Sequence, residues 1–265
     1  MKLTPVFFPV MNILTSLDAL KKYRKTLSNK TIGLVPTMGH LHQGHLSLCQ
    51  KSQADNDITI VSIFVNPAQF NQKKDFKNYP RTIDEDLKLL KTQKIDAVFL
   101  PKIKAMYPDN YQVQVEEIQL SRVLEGRFRP GHVSGMLTIV LKLLNLVQAT
   151  HAYFGEKDYQ QLLLIKKMAD AFFIPCKIIP CATLRASDKL ALSSRNSRLT
   201  PSQRKKALHF PRLLHQKNIS TKKITQELTK LGFKVDYVVD KWGRRLAAVC
   251  LDGIRLIDNV KSKVR

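Results

Sequence analysis

The stretch that decides the fold is TIGLVPTMGHLHQGH, residues 31–45. Its apolar start, residues 31–35, predicts a buried strand, and a helix is predicted to begin near Gly44. His42 and His45 would then share one face of the first helical turn. The free N–H groups and positive dipole end of that turn favour a phosphate, and neutral imidazoles can donate hydrogen bonds to its oxygens.

Zinc is the alternative ligand for this histidine pair, because imidazole nitrogen binds it readily. The sequence argues against zinc, since no cysteine lies within three residues of the pair and no carboxylate stands at the usual spacing. Gly39 and Gly44 would let the backbone approach a ligand where a Cβ would block it. The position of the pair between a strand and a helix favours the phosphate interpretation.

Apolar runs alternate with helical patterns through the first two thirds of the chain. Residues 58–65 are apolar on both faces, as a central parallel strand requires, and residues 134–148 predict a helix buried nearly all round. The other predicted strands are residues 31–35, 96–100, 152–154 and 177–179, and the other predicted helices are residues 46–54, 82–93 and 158–173. This alternation predicts an α/β fold, a Rossmann-like doubly wound parallel sheet.

The pattern changes after about residue 185. The chain is therefore predicted to divide into residues 1–184 and a smaller C-terminal α+β lid domain, residues 185–265. Helices near residues 201–217 and 220–231 are predicted to precede strands near residues 234–239, 246–251 and 254–257. These strands would form a small antiparallel sheet.

The charge of the chain suits anionic partners. The 265 residues carry a formal net charge of +23, and residues 185–265 alone hold 20 Lys and Arg against 6 Asp and Glu. Such an excess favours nucleotides or nucleic acid, but it is equally consistent with a role in solubility. A nucleic-acid surface should interleave aromatic residues with the basic ones, and the few aromatics here suit a core: Phe210, Phe233, Tyr237 and Trp242. We therefore expect no nucleic-acid partner.

Cysteine usage and hydropathy indicate the cellular compartment. The four cysteines form no C-x-x-C pair and predict no disulfide framework: they are Cys49, Cys176, Cys181 and Cys250. No apolar stretch reaches about 18 residues, so no membrane span is expected, and no signal peptide is recognised. A cytoplasmic location is the default expectation.

A series of further motifs runs through nearly the whole chain. The most specific are FVNPAQF at residues 64–70 and FGEKDYQQ at residues 154–161. The others are PTMG (36–39) with HQGH (42–45), YPRT (79–82), MYP (106–108), LEG (124–126), RPGH (129–132), LALSSRN (190–196) and RLIDN (255–259). In this order they resemble the pantothenate synthetase (pantoate–β-alanine ligase) family of His-x-Gly-His nucleotidyltransferases.

The resemblance implies an AMP-forming ligase. Pantoate would attack the α-phosphate of ATP to give pantoyl adenylate and pyrophosphate, and the amine of β-alanine would then displace AMP to give pantothenate. ATP as substrate, Mg²⁺ with it, and a homodimer are implied in the same way. A different nucleotidyltransferase with another acceptor is the rival interpretation, but it should lack the asparagine and glutamines of the two most specific motifs.

The resemblance also assigns residues to the nucleotide. His45, His42 and Lys157 would be catalytic, with His45 as proton donor and Lys157 as a mobile charge at the phosphates. Ser193, Ser194 and Arg195 would form a second phosphate clamp, although a solvated basic linker is the alternative for these three. The full ATP-binding set is Met38, Gly39, His42, Gly44, His45, Gly155, Glu156, Lys157, Asp158, Leu184, Leu192, Ser193, Ser194 and Arg195.

The remaining assignments concern the acid substrates and the metal. Gln69 and Gln161, with Asn66 close by, would bind pantoate, and Gln69 also β-alanine, because amides donate and accept without repelling a carboxylate. Asp86 and Glu85 would hold the magnesium. Glu85 competes for a structural role, since Thr82-x-x-Glu85 is a capping-box signature.

A few residues depart from the family pattern. Gln43 stands where an acidic residue is common, His40 where a small residue or Asn is usual, and Lys189 where a glycine is common. These departures leave the catalytic pattern intact and bear on loop conformation. Arg129 and His132 belong to a matched motif, but the sequence assigns them no role.

Overall fold

A parallel sheet forms the larger part of the molecule. The computed structural model describes residues 11–71 and 73–262, so the signal-peptide prediction concerns a segment outside the described residues. Six strands pair in the order β1-β4-β3-β2-β5-β6, all parallel. They are β1 (Asn12–Leu14), β2 (Ile32–Thr37), β3 (Ile58–Ile63), β4 (Ala97–Phe99), β5 (His151–Gly155) and β6 (Lys177–Cys181).

Helices connect these strands and cover both sheet faces. The described helices in this part of the chain are α1 (Leu17–Lys25), α2 (Gln43–Asp55), α3 (Lys73–Lys77), α4 (Ile83–Thr92), α5 (Ile103–Met106), α6 (Glu125–Phe128), α7 (His132–Val147) and α8 (Tyr159–Ala171). The pleat of β2 sends Leu34 into one core, with α1, α7 and α8, and Val35 into the other, with α2 and α4. The predicted doubly wound sheet is therefore confirmed, as is the buried helix α7.

The C-terminal part builds a separate core on a three-stranded antiparallel sheet. Its elements are α9 (Pro201–Ala207), α10 (His209–Leu214), α11 (Thr221–Lys230), β7 (Lys234–Lys241), β8 (Arg244–Leu251) and β9 (Ile254–Lys261). Phe210, Leu228 and Val249 lie at the centre of that core and are almost fully buried. The predicted small α+β unit is confirmed.

Three local predictions were wrong or incomplete. The single helix of residues 201–217 is two helices, because Pro211 lacks an N–H and fits only the first turn of a new helix. Thr82 precedes α4 but its side chain makes no cap bond; its hydroxyl lies 3.4 Å from His40 Nδ1 instead. The edge strand β1 and helix α1 were not predicted; the three residues of β1 are too few for a periodic pattern.

Candidate active site

The candidate site lies where the strand order reverses. From β2 the chain proceeds to β3 and β4 on one side, and β5 and β6 lie on the other. Pairing of β2 with β5 covers only Gly33 and Leu34, whereas β2 remains paired with β3 up to Thr37. The carboxyl ends of β2 and β5 therefore diverge, and open α/β sheets bind ligands in such a crevice.

His42 and His45 cap the start of α2 with their own rings. The Gly44 N–H donates to His42 Nδ1 (3.1 Å), and the His42 N–H donates to His45 Nδ1 (3.3 Å). The two rings stack with their centroids 4.1 Å apart. Because each Nδ1 accepts a hydrogen bond, each neutral ring carries its proton on Nε2, at the far side of the ring from the backbone.

Both imidazoles are held in the neutral form. Burial is the main cause, and it lowers the pKa of His42 to about 4 and that of His45 to about 3. The positive charge of Lys157 lowers both values further. At neutral pH the pair therefore offers two hydrogen-bond donors rather than two positive charges.

Gly44 is required by the histidine rather than by a ligand's approach to the backbone. A Cβ at this position would lie 2.8 Å from His42 Cε1 and 2.9 Å from His42 Nδ1. Any other residue would push the ring out of its capping position. The sequence prediction identified the residue, but the neighbour that needs the space is an imidazole of the same turn.

Asp86 holds the loop between β2 and α2. Its carboxylate accepts hydrogen bonds from the backbone N–H groups of His40 and Leu41, each at 2.8 Å, and the side chain is 3% exposed. Gly39 turns the chain at φ +80°, and a Cβ there would meet Asp86 Oδ2 at 3.0 Å. This loop geometry is local structure rather than metal ligation.

The predicted magnesium ligands do not fit that role. Both Asp86 oxygens are engaged by backbone N–H groups, and Glu85 is exposed on α4. Neither residue lines the cavity that contains His42 and His45. No group of three or more His, Cys, Asp or Glu side chains suited to a metal is found within residues 11–71 and 73–262.

Lys157 lies opposite the histidines on a short 3-10 helix, Glu156–Asp158, that follows β5. Its ammonium group is 3.6 Å from the Asp158 carboxylate. Asp158 immediately precedes α8 without a side-chain cap bond, so its carboxylate remains on the cavity side. Asn259 of β9 donates to the carbonyls of Glu156 and Lys157, at 2.8 and 2.9 Å. The small domain thus fixes the backbone that carries Lys157.

The segment Ser193–Arg198 closes the third side. Ser193 Oγ accepts from the Arg195 N–H, and Ser194 Oγ donates to the His40 carbonyl at 3.2 Å. Arg195 pairs with Asp75 of α3 at 3.2 Å. These contacts join the C-terminal part of the chain to the loop between β2 and α2, which contains His40, and to helix α3, which contains Asp75.

One cavity of about 190 Å³ gathers most of the predicted ATP set. Tyr79 also lines it and was missed, although it belongs to one of the quoted motifs. The predicted residues that line it are Met38, His42, Gly44, His45, Gly155, Lys157, Asp158, Gln161, Leu184, Leu192, Ser193, Ser194 and Arg195. The predicted residues that do not are Gly39, Glu156, Asn66, Gln69, Glu85 and Asp86.

Asn66 and Gln69 form a buried amide pair beside Met38. Asn66 is 1% exposed, and its Nδ2 donates to Gln69 Oε1 (3.0 Å) and to the Gly135 carbonyl (2.9 Å). Tyr107 donates its hydroxyl to Asn66 Oδ1 at 2.6 Å. Every polar group of the Asn66 side chain is engaged, so this residue supports Gln69 rather than reaching the cavity.

Arg129 and His132 acquire a role from the structure. Arg129 donates to His132 Nε2 (2.8 Å), so His132 Nδ1 carries the proton and donates to the Gln69 carbonyl (2.8 Å). Burial, with the Arg129 charge, lowers the pKa of His132 to about 4. Arg129 also lies 3.6 Å from Glu125, which forms a bidentate pair with Arg255 of β9. The sequence spacing of these residues does not predict this chain of contacts.

Comparison with known proteins identifies the family. A model of the family described as pantoate-beta-alanine ligase matches residues 12–261. The chain belongs to the pantoate–β-alanine ligase family. A pantothenate synthetase of Legionella pneumophila (strain Corby) is 50% identical over 250 residues, which cover 94% of this chain and 99% of that one. One from Coxiella burnetii (strain Dugway 5J108-111) is 46% identical over 94% and 96% of the two chains.

Solved ligase structures share the whole fold. A pantoate-beta-alanine ligase from Francisella tularensis, complexed with beta-gamma ATP and beta-alanine, superposes with a TM-score of 0.92 at 40% identity. It covers 97% of this chain and 99% of its own. The pantothenate synthetase of Thermus thermophilus gives 0.86 at 36% identity over 95% and 99% of the two chains.

The predicted enzyme class and reaction are therefore confirmed at the level of the family. The chain is an ATP-dependent ligase of the kind that joins pantoate to β-alanine through a pantoyl adenylate, with release of AMP and pyrophosphate. Within the described residues, no helix combines the length and the apolar character needed to cross a membrane.

Proposed function

We propose that the cavity binds ATP with its phosphates between the histidine pair and Lys157. The supporting observation is that two Nε2–H donors, an ammonium group and the Ser193–Arg195 segment line a single space at the switch point of the sheet. Pyrophosphate is a leaving group of high negative charge, and fixed donors aimed at it stabilise the transition state. The adenosine would lie against Met38, Gly155 and Leu184, which line the same cavity.

The first step needs the acid beside the α-phosphate. Gln161 lines the cavity at the start of α8, and Gln69 lies behind Met38. Their amides would hold the pantoate so that one carboxylate oxygen attacks the α-phosphorus and the bond to pyrophosphate breaks. The neutral histidines donate hydrogen bonds to the departing oxygens, and Lys157 supplies the positive charge that they lack.

The second step is attack of the β-alanine amine on the acyl carbon. The C–O bond to AMP breaks, and the amine gives up its proton as the amide forms. The adenylate must be protected from water until the amine arrives. The contacts of Ser194 and Arg195 with His40 and Asp75 support a covering role for that segment. This is the lid function proposed for residues 185–265, whose apolar core begins at Leu190 and is separate from those of the sheet.

Magnesium belongs to this proposal as the ion that ATP brings with it. Asp158 is the one carboxylate among the described residues that lines the cavity, so we propose it as the protein ligand in place of Asp86 and Glu85. A single carboxylate is sufficient, since Mg²⁺ usually retains several waters and phosphate oxygens. A homodimer in the cytoplasm completes the proposal on the basis of the family resemblance.

Pyrophosphate exchange tests this assignment. Labelled pyrophosphate should enter ATP only when pantoate is present, and AMP should accumulate only when β-alanine is added as well. His45→Ala should slow the exchange by about 100-fold or more, because it removes a donor from the charge that develops in the transition state. His209→Ala, on α10 and outside the cavity, is the matched control. Exchange without pantoate, or an unimpaired His45→Ala, would contradict the proposal.

A further inference from the structure

The direction of hydrogen bonding through the buried amides follows from one backbone group. The Gly135 carbonyl can only accept, and it lies 2.9 Å from the Asn66 side chain, so the atom facing it must be Nδ2. Asn66 Oδ1 therefore faces Tyr107, whose hydroxyl donates to it at 2.6 Å. Burial raises the pKa of the Tyr107 phenol, which keeps this donor protonated.

The orientation of the Gln69 side-chain amide follows from that of Asn66. The second Nδ2 proton of Asn66 points to Gln69 at 3.0 Å, so the atom it meets must be Oε1. Gln69 Nε2 is thereby turned toward Met38, with Sδ at 2.9 Å. A thioether is a weak acceptor, and it is a poor partner for a buried amide N–H. Met38 lines the cavity, so this N–H lies directly behind the cavity wall.

We propose that Asn66, with its amide turned by the Gly135 carbonyl and held by the Tyr107 hydroxyl, is a positioning residue that commits Gln69 to present N–H rather than C=O toward the acid substrate. An oxygen of the pantoate carboxylate or hydroxyl would replace the Met38 sulfur as acceptor. Because the Gln69 Nε2–H can only donate, it favours a substrate end that carries oxygen acceptors and disfavours an ammonium group. This rests on the proposed function, in which Gln69 contacts the acid.

Tyr107→Phe removes the donor to Asn66 and leaves the ring in place. Asn66 Oδ1 would then be buried without its partner, and the Asn66 amide, although still turned by the Gly135 carbonyl, would hold Gln69 less firmly. We expect the KM for pantoate in pyrophosphate exchange to rise about tenfold, while the KM for ATP stays within about twofold. A KM does not depend on the concentration of active enzyme, so partial misfolding does not imitate this result.

Tyr111→Phe is the matched control. Its ring lies 4.2 Å from that of Tyr107, and no hydrogen bond of its hydroxyl is found among the described residues. This variant should leave both KM values unchanged. A second variant, Asn66→Asp, replaces the Nδ2 donor by an oxygen, so Gln69 would turn its N–H toward Asp and its carbonyl toward the cavity. The KM for pantoate should then rise more than in Tyr107→Phe.

The outcomes distinguish a failure of the proposed function from a failure of the inference about Gln69. A wild-type protein that exchanges pyrophosphate without pantoate overturns the proposed function. If exchange by the wild type depends on pantoate, the proposed function stands. The inference alone is then overturned if Tyr107→Phe behaves as Tyr111→Phe does, or if its KM values for pantoate and ATP rise together. A selective rise in the KM for pantoate, larger still in Asn66→Asp, supports it.

Discussion

Three histidines, of which His132 is buried and His42 and His45 are partly buried, supply donors rather than charge to this molecule. Burial lowers the pKa of His42 and His132 to about 4 and that of His45 to about 3. Each uses one ring nitrogen as an acceptor, which fixes the tautomer and leaves the other as a donor. The candidate site is therefore preorganised before any ligand enters, and its positive charge is carried by Lys157 and Arg195 rather than by the histidines.

These pKa values predict how stability depends on pH. Between about pH 4 and 6.5 the unfolded state binds protons on these histidines and the folded state does not, so the free energy of unfolding rises with pH there. It falls as the pH is lowered through this window, and their contribution is constant above it. Urea denaturation at a series of pH values should show the slope, and it should be shallower in His132→Gln. Equal slopes in both proteins would contradict the assignment.

At the scale of elements, an ion pair between Glu125 of α6 and Arg255 of β9 connects the part of the chain that contains the parallel sheet to the three-stranded sheet. The Glu125 carboxylate accepts hydrogen bonds from both terminal nitrogens of Arg255, at 2.7 and 2.8 Å, and one from the hydroxyl of Tyr237. Burial acts to raise the pKa of Glu125, but the hydrogen bonds and charge of Arg255 outweigh it and bring the value to about 2. Arg255 is held in turn by Asp236 of β7 at 2.8 Å. A largely buried ion pair thus connects the short helix α6 to the three-stranded sheet.

Arg255→Gln should weaken the fold markedly. The substitution removes the bidentate partner of the buried Glu125 and leaves it only Arg129 at 3.6 Å, and breaking a buried pair costs about 3 kcal/mol. The free energy of unfolding measured in urea gives the value. Glu227→Gln breaks exposed pairs with Lys223 and Lys230 and should be indistinguishable from wild type. Equal stability of the two variants would show that the α6–β9 contact adds little.

At the scale of the molecule, the three-stranded sheet positions Lys157, which lies just after β5 of the six-stranded sheet. Asn259 holds the carbonyls of Glu156 and Lys157, while Arg244 pairs with the Glu156 carboxylate at 2.8 Å. Arg244 also donates to Asn259 Oδ1. The position of Lys157 in the cavity is therefore set by β8 and β9, which lie far along the chain from it.

Asn259→Ala tests this dependence. Loss of the two carbonyl contacts should let the Lys157 segment shift, and small displacements of a catalytic group cost rate steeply. We expect the kcat of pyrophosphate exchange to fall about tenfold, with the KM for pantoate unchanged. Asn218→Ala, on an exposed turn of the same domain, is the control. A variant with wild-type kcat would show that the segment holds its position without β9.

The sequence by itself determined the sheet, its two-sided burial and the histidine pair. Residues 31–45 carry strand, turn and helix signals in one short stretch, and local chemistry is sufficient to read them. The family motifs added most of the cavity residues, since the motifs at residues 36–45, 154–161 and 190–196 all contribute to its lining. Asp86 and Asn66 contact protein groups in the structure, and a carboxylate or amide has the same appearance in sequence whether it meets a ligand or a backbone group.

Only the tertiary structure decided which polar side chains are already engaged. Asp86 meets backbone N–H groups 45 and 46 residues away, and Arg255 meets Glu125 across 130 residues. No periodicity encodes such pairings, since they depend on how separate elements pack. The direction of each hydrogen bond in the Tyr107–Asn66–Gln69 chain is likewise a tertiary property, because it originates at a backbone carbonyl of α7.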